Sequence, residues 1–156
     1  ANLYGPGDDF RPGTSHVIPA LIKKIIDAKE YSQKDLQVWG DGSPTRDFLF
    51  VKDAAEAIVK SLDIEISTIN PINIASGKEI SIKELVELLI LKLEYDGEIY
   101  FDTTKPNGQP KRLLSVKLAE DLLNWKSYTS FNIGIDKTIE YYLKNKSKID
   151  SQVSKY

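Results

Sequence analysis

A short apolar run ending at Tyr4 is stopped by Gly5-Pro6-Gly7, and a helical repeat begins near Val17. Glycine accepts positive φ and proline fixes its own, so the chain has to turn at this point. Asp8, Asp9, Arg11, Pro12 and Gly13 continue as loop, and Ser15 is placed to cap the helix. A strand end, a tight turn and a helix in that order open an alternating α/β chain. His16 falls at the loop-to-helix junction, where the first-turn N–H groups are unpaired and attract anions.

The rest of the chain keeps the alternation. Ile18, Leu21, Ile22, Ile25 and Ile26 recur at helical spacing with Lys23, Lys24 and Asp27 opposite, which predicts a half-buried helix over roughly Val17 to Glu30. Tyr31 to Asp35 reads as loop. Leu36 to Trp39 reads as a short strand stopped by Gly40-Asp41-Gly42-Ser43-Pro44, and Arg46 to Val51 as a second strand. Asp53 is placed to cap a helix over Ala54 to Leu62, whose alanines suit close packing. Ile69 to Ala75 reads as a strand placed near an edge or bend by Pro71. Ser81 with Glu84 is a capping box ahead of the stripe Ile82, Leu85, Val86, Leu89 and Leu93. Glu98 to Asp102 reads as strand and Thr103 to Pro110 as polar loop. Ser115 is a candidate cap for a short helix reaching Leu123, with Trp125 packing after it. Ser130 is a candidate cap for a last helix with the stripe Ile135, Ile139, Tyr142 and Leu143. The expected division is a domain over 1–146 and a frayed polar tail over 147–156. About four short strands and about five helices are too little sheet for a free-standing doubly wound domain and fit an appended substrate domain.

Composition narrows the chemistry. A net charge of −2 over 156 residues argues against a general polyanion binder, so no nucleic-acid partner is expected. No cysteine means neither a disulfide framework nor a thiolate metal site, and a single histidine removes a histidine-rich zinc site. No metal is expected. Without a leader pattern or a long apolar run, the reading is a cytoplasmic protein with no membrane partner.

Five stretches in order carry a resemblance: Asn2 to Phe10, Ser15 to Leu21, Val38-Trp39-Gly40, Pro44 to Leu49 and Lys105 to Pro110. Together they resemble the nucleotide-sugar branch of the extended short-chain dehydrogenase/reductases, and within it the GDP-sugar epimerase/reductases. The likeness runs to about Leu143. It implies the C-terminal, substrate-binding portion of a Rossmann-type fold, with a dinucleotide-binding half expected ahead of Ala1. It further implies an enzyme that uses NADP (as NADPH) to epimerise C3 and C5 of a GDP-4-keto-6-deoxy sugar and reduce its 4-keto group, commonly as a homodimer. A GDP-heptose or other nucleotide-sugar epimerase/reductase, and a non-catalytic sugar-nucleotide binding module, are the alternatives.

The resemblance also implies roles. Asn2, Leu3, Tyr4 and Gly5 match the segment on the nicotinamide-ribose side, with His16 beside nicotinamide and substrate as an acid of the epimerisation. The residues themselves allow a structural turn and a capping or packing histidine equally well, although a group titrating near neutrality suits proton transfer beside a ketone. Val17, Lys24, Trp39, Arg46, Asn107 and Arg112 match positions that hold the GDP-sugar. Guanidinium and ammonium groups pair with diphosphate oxygens, and an indole offers a wall for a ring. Left to itself, Lys24 reads as a solvated helix lysine. The related proteins usually carry aspartate where Asn107 stands. The amide here keeps hydrogen bonding to sugar or base and adds no charge.

Two absences matter. The nine glycines nowhere form the glycine-rich pyrophosphate cradle of a dinucleotide site. Tyr142 and Lys146 have the Tyr-x-x-x-Lys spacing of the reductase pair, but they lie late in the last helix with Tyr142 on its apolar stripe. The matching serine, tyrosine and lysine are therefore absent from this chain, and the chain alone is expected to be inactive.

Overall fold

The computed structural model describes residues 1–62, 65 and 70–153. Its frame is a parallel pair, β1 (Asn2–Tyr4) and β4 (Phe48–Phe50), with Asn2 opposite Phe48 and Tyr4 opposite Phe50. All three residues of β4 are buried. Phe48 and Phe50 face the main core and Leu49 faces a smaller second one, as the period of two along a strand requires. Between β1 and β4 lie α1 (Val17–Glu30), β2 (Asp35–Trp39) and β3 (Thr45–Arg46). After β4 come α2 (Val51–Leu62), β5 (Ile80–Ser81), α3 (Ile82–Leu93), β6 (Glu98–Asp102), β7 (Lys111–Arg112), α4 (Lys117–Leu123) and α5 (Phe131–Val153). β2 and β6 pair in parallel from Asp35 opposite Glu98 to Trp39 opposite Asp102. β3 runs antiparallel to β5 and parallel to β7, with Arg46 opposite Arg112. The chain is thus an α/β structure of five helices and short strands among the described residues.

The main core gathers one face of each long helix. α1 contributes Ile18, Leu21, Ile22, Ile25 and Ile26, α3 contributes Leu85, Val86, Leu89 and Leu93, and α5 contributes Ile135, Ile139 and Tyr142. Each such side chain gains about 1.5–3 kcal/mol from leaving water, which outweighs the modest helix propensity of the isoleucines. α3 begins at the expected capping box: the Glu84 N–H donates to Ser81 Oγ at 3.1 Å and the Ser81 N–H to Glu84 Oε2 at 2.7 Å. In the second core, Ala54 and Ala57 of α2 let it approach Ala119 and Leu123 of α4, with Trp125 and Leu49 closing the gap. Among the described residues no helix is long and apolar enough to cross a membrane, and no three acidic, histidine or cysteine side chains are placed to hold a metal.

Several expectations need correction. Arg46 to Val51 is not one strand. It breaks at Asp47 into β3 and β4, which belong to different sheets, and Val51 already begins α2. Asp53 does not cap α2. It sits buried in the first turn and accepts the N–H groups of Tyr128 and Thr129 at 2.9 and 2.8 Å and the Thr129 hydroxyl at 2.5 Å. His16, not Ser15, occupies the N-cap of α1, and Val116, not Ser115, that of α4; neither makes a side-chain cap bond. Ser130 accepts the Ile133 N–H at a long 3.4 Å. The expected strand over Ile69 to Ala75 is not formed by residues 70–75, which run without a ladder, and Ile69 lies outside the described residues. Leu143 points outward and is 53 % exposed, so it leaves the stripe of α5, which Ile149 continues one heptad after Tyr142.

The tail expected to fray from residue 147 is helical to Val153, and residues 154–156 lie outside the described residues. Charge explains the extension. Lys23 of α1 pairs with Asp27 and Asp150, both at 3.0 Å, and Lys146 pairs with Glu30 at 2.9 Å and Asp150 at 2.8 Å. Burial alone would raise the Asp150 carboxyl, but Lys146 and Lys23 outweigh it and hold it below the ordinary range. A carboxyl depressed in the folded state stabilises above its unfolded titration, near pH 3.9, and loses that contribution as pH falls through the folded value. Acidification from pH 6 to about pH 3 is therefore expected to raise hydrogen exchange over 146–151 before the rest of the main core, and Asp150→Asn to reproduce the effect at neutral pH.

Asp47 is fully buried, and its carboxylate accepts the Ser76 N–H at 2.8 Å, the Ser76 hydroxyl at 2.6 Å and the Gly77 N–H at 3.0 Å. Its own carbonyl accepts the Asn2 N–H at 2.8 Å. Asp47→Ala leaves three donors without their acceptor and a cavity in the buried site. It is expected to cost about 3 kcal/mol in urea denaturation, with Asp47→Asn recovering only part of the loss.

Candidate functional site

Two clefts adjoin along β1 and the start of α1. The first, about 500 Å3, is bordered by Asn2 to Asp8, His16, Val51 and Arg112. The second, about 430 Å3, is bordered by Asn2, Val17, Lys24, Gln37, Trp39, Arg46, Pro106 and Asn107 among others. Asn2 is common to both, and the neighbours His16 and Val17 lie one in each. Volumes of this size suit small-molecule binding.

The first cleft is shaped by the turn after β1. Gly5 has φ +143, and a Cβ there would meet Val51 Cγ1 at 2.7 Å, so the backbone of β1's end lies tight against the start of α2. Leu3 is half-exposed on the cleft wall. Tyr4 contributes only backbone. Its ring is buried edge-on against Phe48, Phe50 and Phe131, at centroid separations of 6.3, 5.7 and 5.6 Å. Burial, with the charge of Asp53 in support, raises its hydroxyl well above the usual phenol range. His16 is exposed in extended backbone at the N-cap, with its side chain uncommitted to capping. Arg112 joins this cleft rather than the one containing Arg46, although the two arginines are register partners.

Sequence reasoning read Asp8, Asp9 and Arg11 only as loop, without their partners. Asp9 accepts from the Arg11 N–H, Nε and Nη2, all at 2.9 Å, and from the Thr14 hydroxyl at 2.9 Å. Those bonds to Arg11 hold its carboxyl far below the usual range. Asp8 behaves oppositely. One oxygen accepts the Asp9 N–H at 2.8 Å, while Oδ2 is buried with no hydrogen-bond partner. Burial pushes this carboxyl up, against the pull of the Asp9 N–H and of His16. Asn2 Oδ1 is likewise buried and unpartnered, at the wall between the clefts.

In the second cleft the cations are partly committed. Lys24 donates to the Gln37 carbonyl, and burial lowers its ammonium from the usual lysine range. Arg46 Nη1 donates to the carbonyls of Thr45 at 2.7 Å and Gln109 at 2.6 Å. Trp39 is 66 % exposed, with the Lys105 ammonium 5.9 Å from its ring centre, inside cation–π range. Asn107 differs from expectation. Its Oδ1 accepts the Asp41 N–H at 2.8 Å, so that oxygen is turned to the protein rather than to a sugar or base. A Cβ at Gly40 would sit 2.2 Å from that oxygen, so the glycine makes room for the bond. The Asp41 carboxyl is held below the usual range by Ser43 first and by the Asn107 side chain next. Thr104, which bonds Asp102 Oδ1 through N–H at 3.0 Å and hydroxyl at 2.5 Å, ties the loop's other end. The structure thus brings Val17, Lys24, Trp39, Arg46 and Asn107 to one cleft, and Leu3, Tyr4, Gly5, His16 and Arg112 to the other.

Comparison with known proteins gives a consistent result. Residues 1–75 match the NAD dependent epimerase/dehydratase family. GDP-L-fucose synthase 1 of Arabidopsis thaliana is 44% identical over 145 residues, covering 92% of this chain and 44% of that one. GDP-L-fucose synthase of Escherichia coli (strain K12) is 34% identical over 155 residues, covering 94% and 48%. The crystal structure of a GDP-L-fucose synthetase from Naegleria fowleri bound to NADP superposes with a TM-score of 0.85 at 30% identity, covering 94% of this chain and 44% of that one. The chain spans less than half the length of these relatives.

The Asn107 bond makes a clear forecast. Asn107→Asp sets a second carboxylate against Asp41 and removes a donor to it. Amide exchange over 103–110 is expected to quicken by about fivefold, the equivalent of one ordinary hydrogen bond, and to slow again when acid neutralises the pair.

Proposed function

We propose that this chain, whose residues 1–75 match the NAD dependent epimerase/dehydratase family, forms the substrate-binding side of a GDP-L-fucose synthase. The reaction would be NADPH-dependent epimerisation at C3 and C5 and reduction at C4 of GDP-4-keto-6-deoxy-D-mannose, giving GDP-L-fucose. One observation carries the reading. Val17, Lys24, Trp39, Arg46 and Asn107, far apart in sequence, line a single cleft whose wall at Asn2 also borders the cleft of His16.

In this reading the diphosphate lies toward Arg46, whose Nη1 is held by the Thr45 and Gln109 carbonyls, with Lys24 as a second, weaker cation. Trp39 supplies a flat wall for a ring. His16, exposed at the head of α1, sits where a proton can pass to or from a carbon beside the ketone. The turn at Gly5 and Gly7, where no side chain intervenes, would meet one face of a nicotinamide, with the orphaned Asn2 Oδ1 beside it. Asn2, Leu3, Tyr4 and Gly5 would hold that ring, and NADPH, when bound, supplies hydride. The pyrophosphate cradle is not among these residues. A homodimer, a cytoplasmic setting and inactivity of the chain by itself belong to the same proposal. GDP-L-colitose synthase of Yersinia pseudotuberculosis, 33% identical over 146 residues, shares the nucleotide and differs in the sugar, so GDP is the part of the substrate this reading depends on most.

Titration calorimetry of GDP into the chain tests it. Arg46→Ala and Trp39→Ala are each expected to weaken binding about tenfold or more, ~1.4 kcal/mol, while His16→Asn leaves GDP affinity unchanged. GDP-induced NMR shifts confined to residues remote from Trp39 and Arg46 would sink the reading, as would NADPH turnover by the isolated chain for the expectation of inactivity.

A further inference from the structure

Asn107, in the loop between β6 and β7, borders the second cleft together with Trp39 and Arg46. It is exposed, and it is the one asparagine of the chain that glycine follows. Elsewhere the next residue is bulky or is proline, and Asn132 and Asn145 are fixed inside α5. Asparagine is among the chemically labile side chains, and the nucleophile best placed to reach its amide carbon is the backbone nitrogen of the next residue. Gly108 leaves that nitrogen uncrowded. It lies at φ +72, and a Cβ built on it would have only Arg46 Nη2, at 3.7 Å, within 4 Å. Among the described residues no backbone bond holds its N–H. The amide carbon is prepared from the other side. The Asp41 N–H donates to Asn107 Oδ1 at 2.8 Å, and the missing Cβ of Gly40 lets the oxygen come that near. A donor on this oxygen stands where negative charge gathers once Cγ is attacked. The facing Asp41-Gly42 pair has the same sequence form, but the Ser43 bonds keep its acid ionised, and a carboxylate resists attack.

We infer that Asn107 is a self-modification site on the rim of the second cleft: it deamidates in the folded protein and so brings a carboxylate to the cleft of Trp39 and Arg46. The Gly108 nitrogen gives up its proton and bonds to Asn107 Cγ. The Cγ–Nδ2 bond breaks, Nδ2 takes up the proton and leaves as ammonia, and a cyclic imide closes. Water then opens the imide at either carbonyl, which leaves aspartate or isoaspartate at position 107. Nothing is oxidised or reduced, and water is the only co-reactant. Either product turns a second negative charge toward Asp41 where a neutral amide stood, so the tie across the mouth of the loop weakens as the protein ages. None of these steps depends on what the cleft binds.

Peptide mass mapping tests this without any ligand, so its outcome stands apart from that of the GDP titration. The chain is aged in mildly alkaline buffer, folded and, in parallel, unfolded in guanidinium chloride. Position 107 of the folded chain is expected to convert within about tenfold of its unfolded rate and ahead of every other asparagine. Enzymatic methylation marks the isoaspartate fraction. Gly108→Ala is expected to slow the conversion about tenfold, because a Cβ crowds the attacking nitrogen. Asn107→Gln keeps the amide but needs a larger ring; it is expected to stay unmodified and serves should the alanine disturb the loop. In the converted chain, amide exchange over 103–110 is expected to quicken as it does for Asn107→Asp. Conversion confined to the unfolded chain overturns the inference, as does a rate in Gly108→Ala equal to the parent's. Unaltered exchange over 103–110 in fully converted protein overturns the loss of the tie.

Discussion

The buried carboxylate of Asp47 is the constraint on which the site depends. Its three hydrogen bonds draw the 76–77 turn onto the break between β3 and β4, and its carbonyl accepts the first N–H of β1. A straight strand through residues 45–50 would have kept Arg46 in the same sheet as Phe48. The bend instead sends Phe48 and Phe50 to the core beside β1 and leaves Arg46 beside β7, at the cleft. One buried charge therefore joins the wall of the first cleft to the cation of the second. Such a group is tolerable in the interior only because every donor around it is satisfied.

Much of the frame was legible from residue order. α1 and β6 fall at their expected boundaries, and α3 begins at its capping box, because periodicity and capping are local signals. The break at Asp47 was not legible. Arg46 to Val51 reads as a run of strand formers, and the cause of the break lies about thirty residues away at Ser76 and Gly77. Asp53 misled for the same reason: a carboxylate near a helix start reads as a cap, whereas its donors come from Tyr128 and Thr129. The helical end of α5 depends on Lys23 and Glu30, also remote in sequence.

The site divides similarly. Motif order put the candidate residues forward, but only the folded chain shows that Arg112 parts company with Arg46, or that Asn107 spends its oxygen on Asp41. Asp8 escaped notice because an aspartate in a turn reads as solvated. The available signal was its neighbour: Arg11 and Thr14 are spaced to serve Asp9, and Asp8 Oδ2 is left unpartnered.

The ionic clasp between α1 and α5 has a reach beyond its own position. His16, Val17 and Lys24 all ride on α1, near its head, while Lys23 and Glu30 tie that same rod to the chain's last turns. α1 is thus pinned at mid-length and at its last residue, so the angle at which it presents His16 and Val17 to the two clefts is shared with the turns of α5 around Lys146 and Asp150.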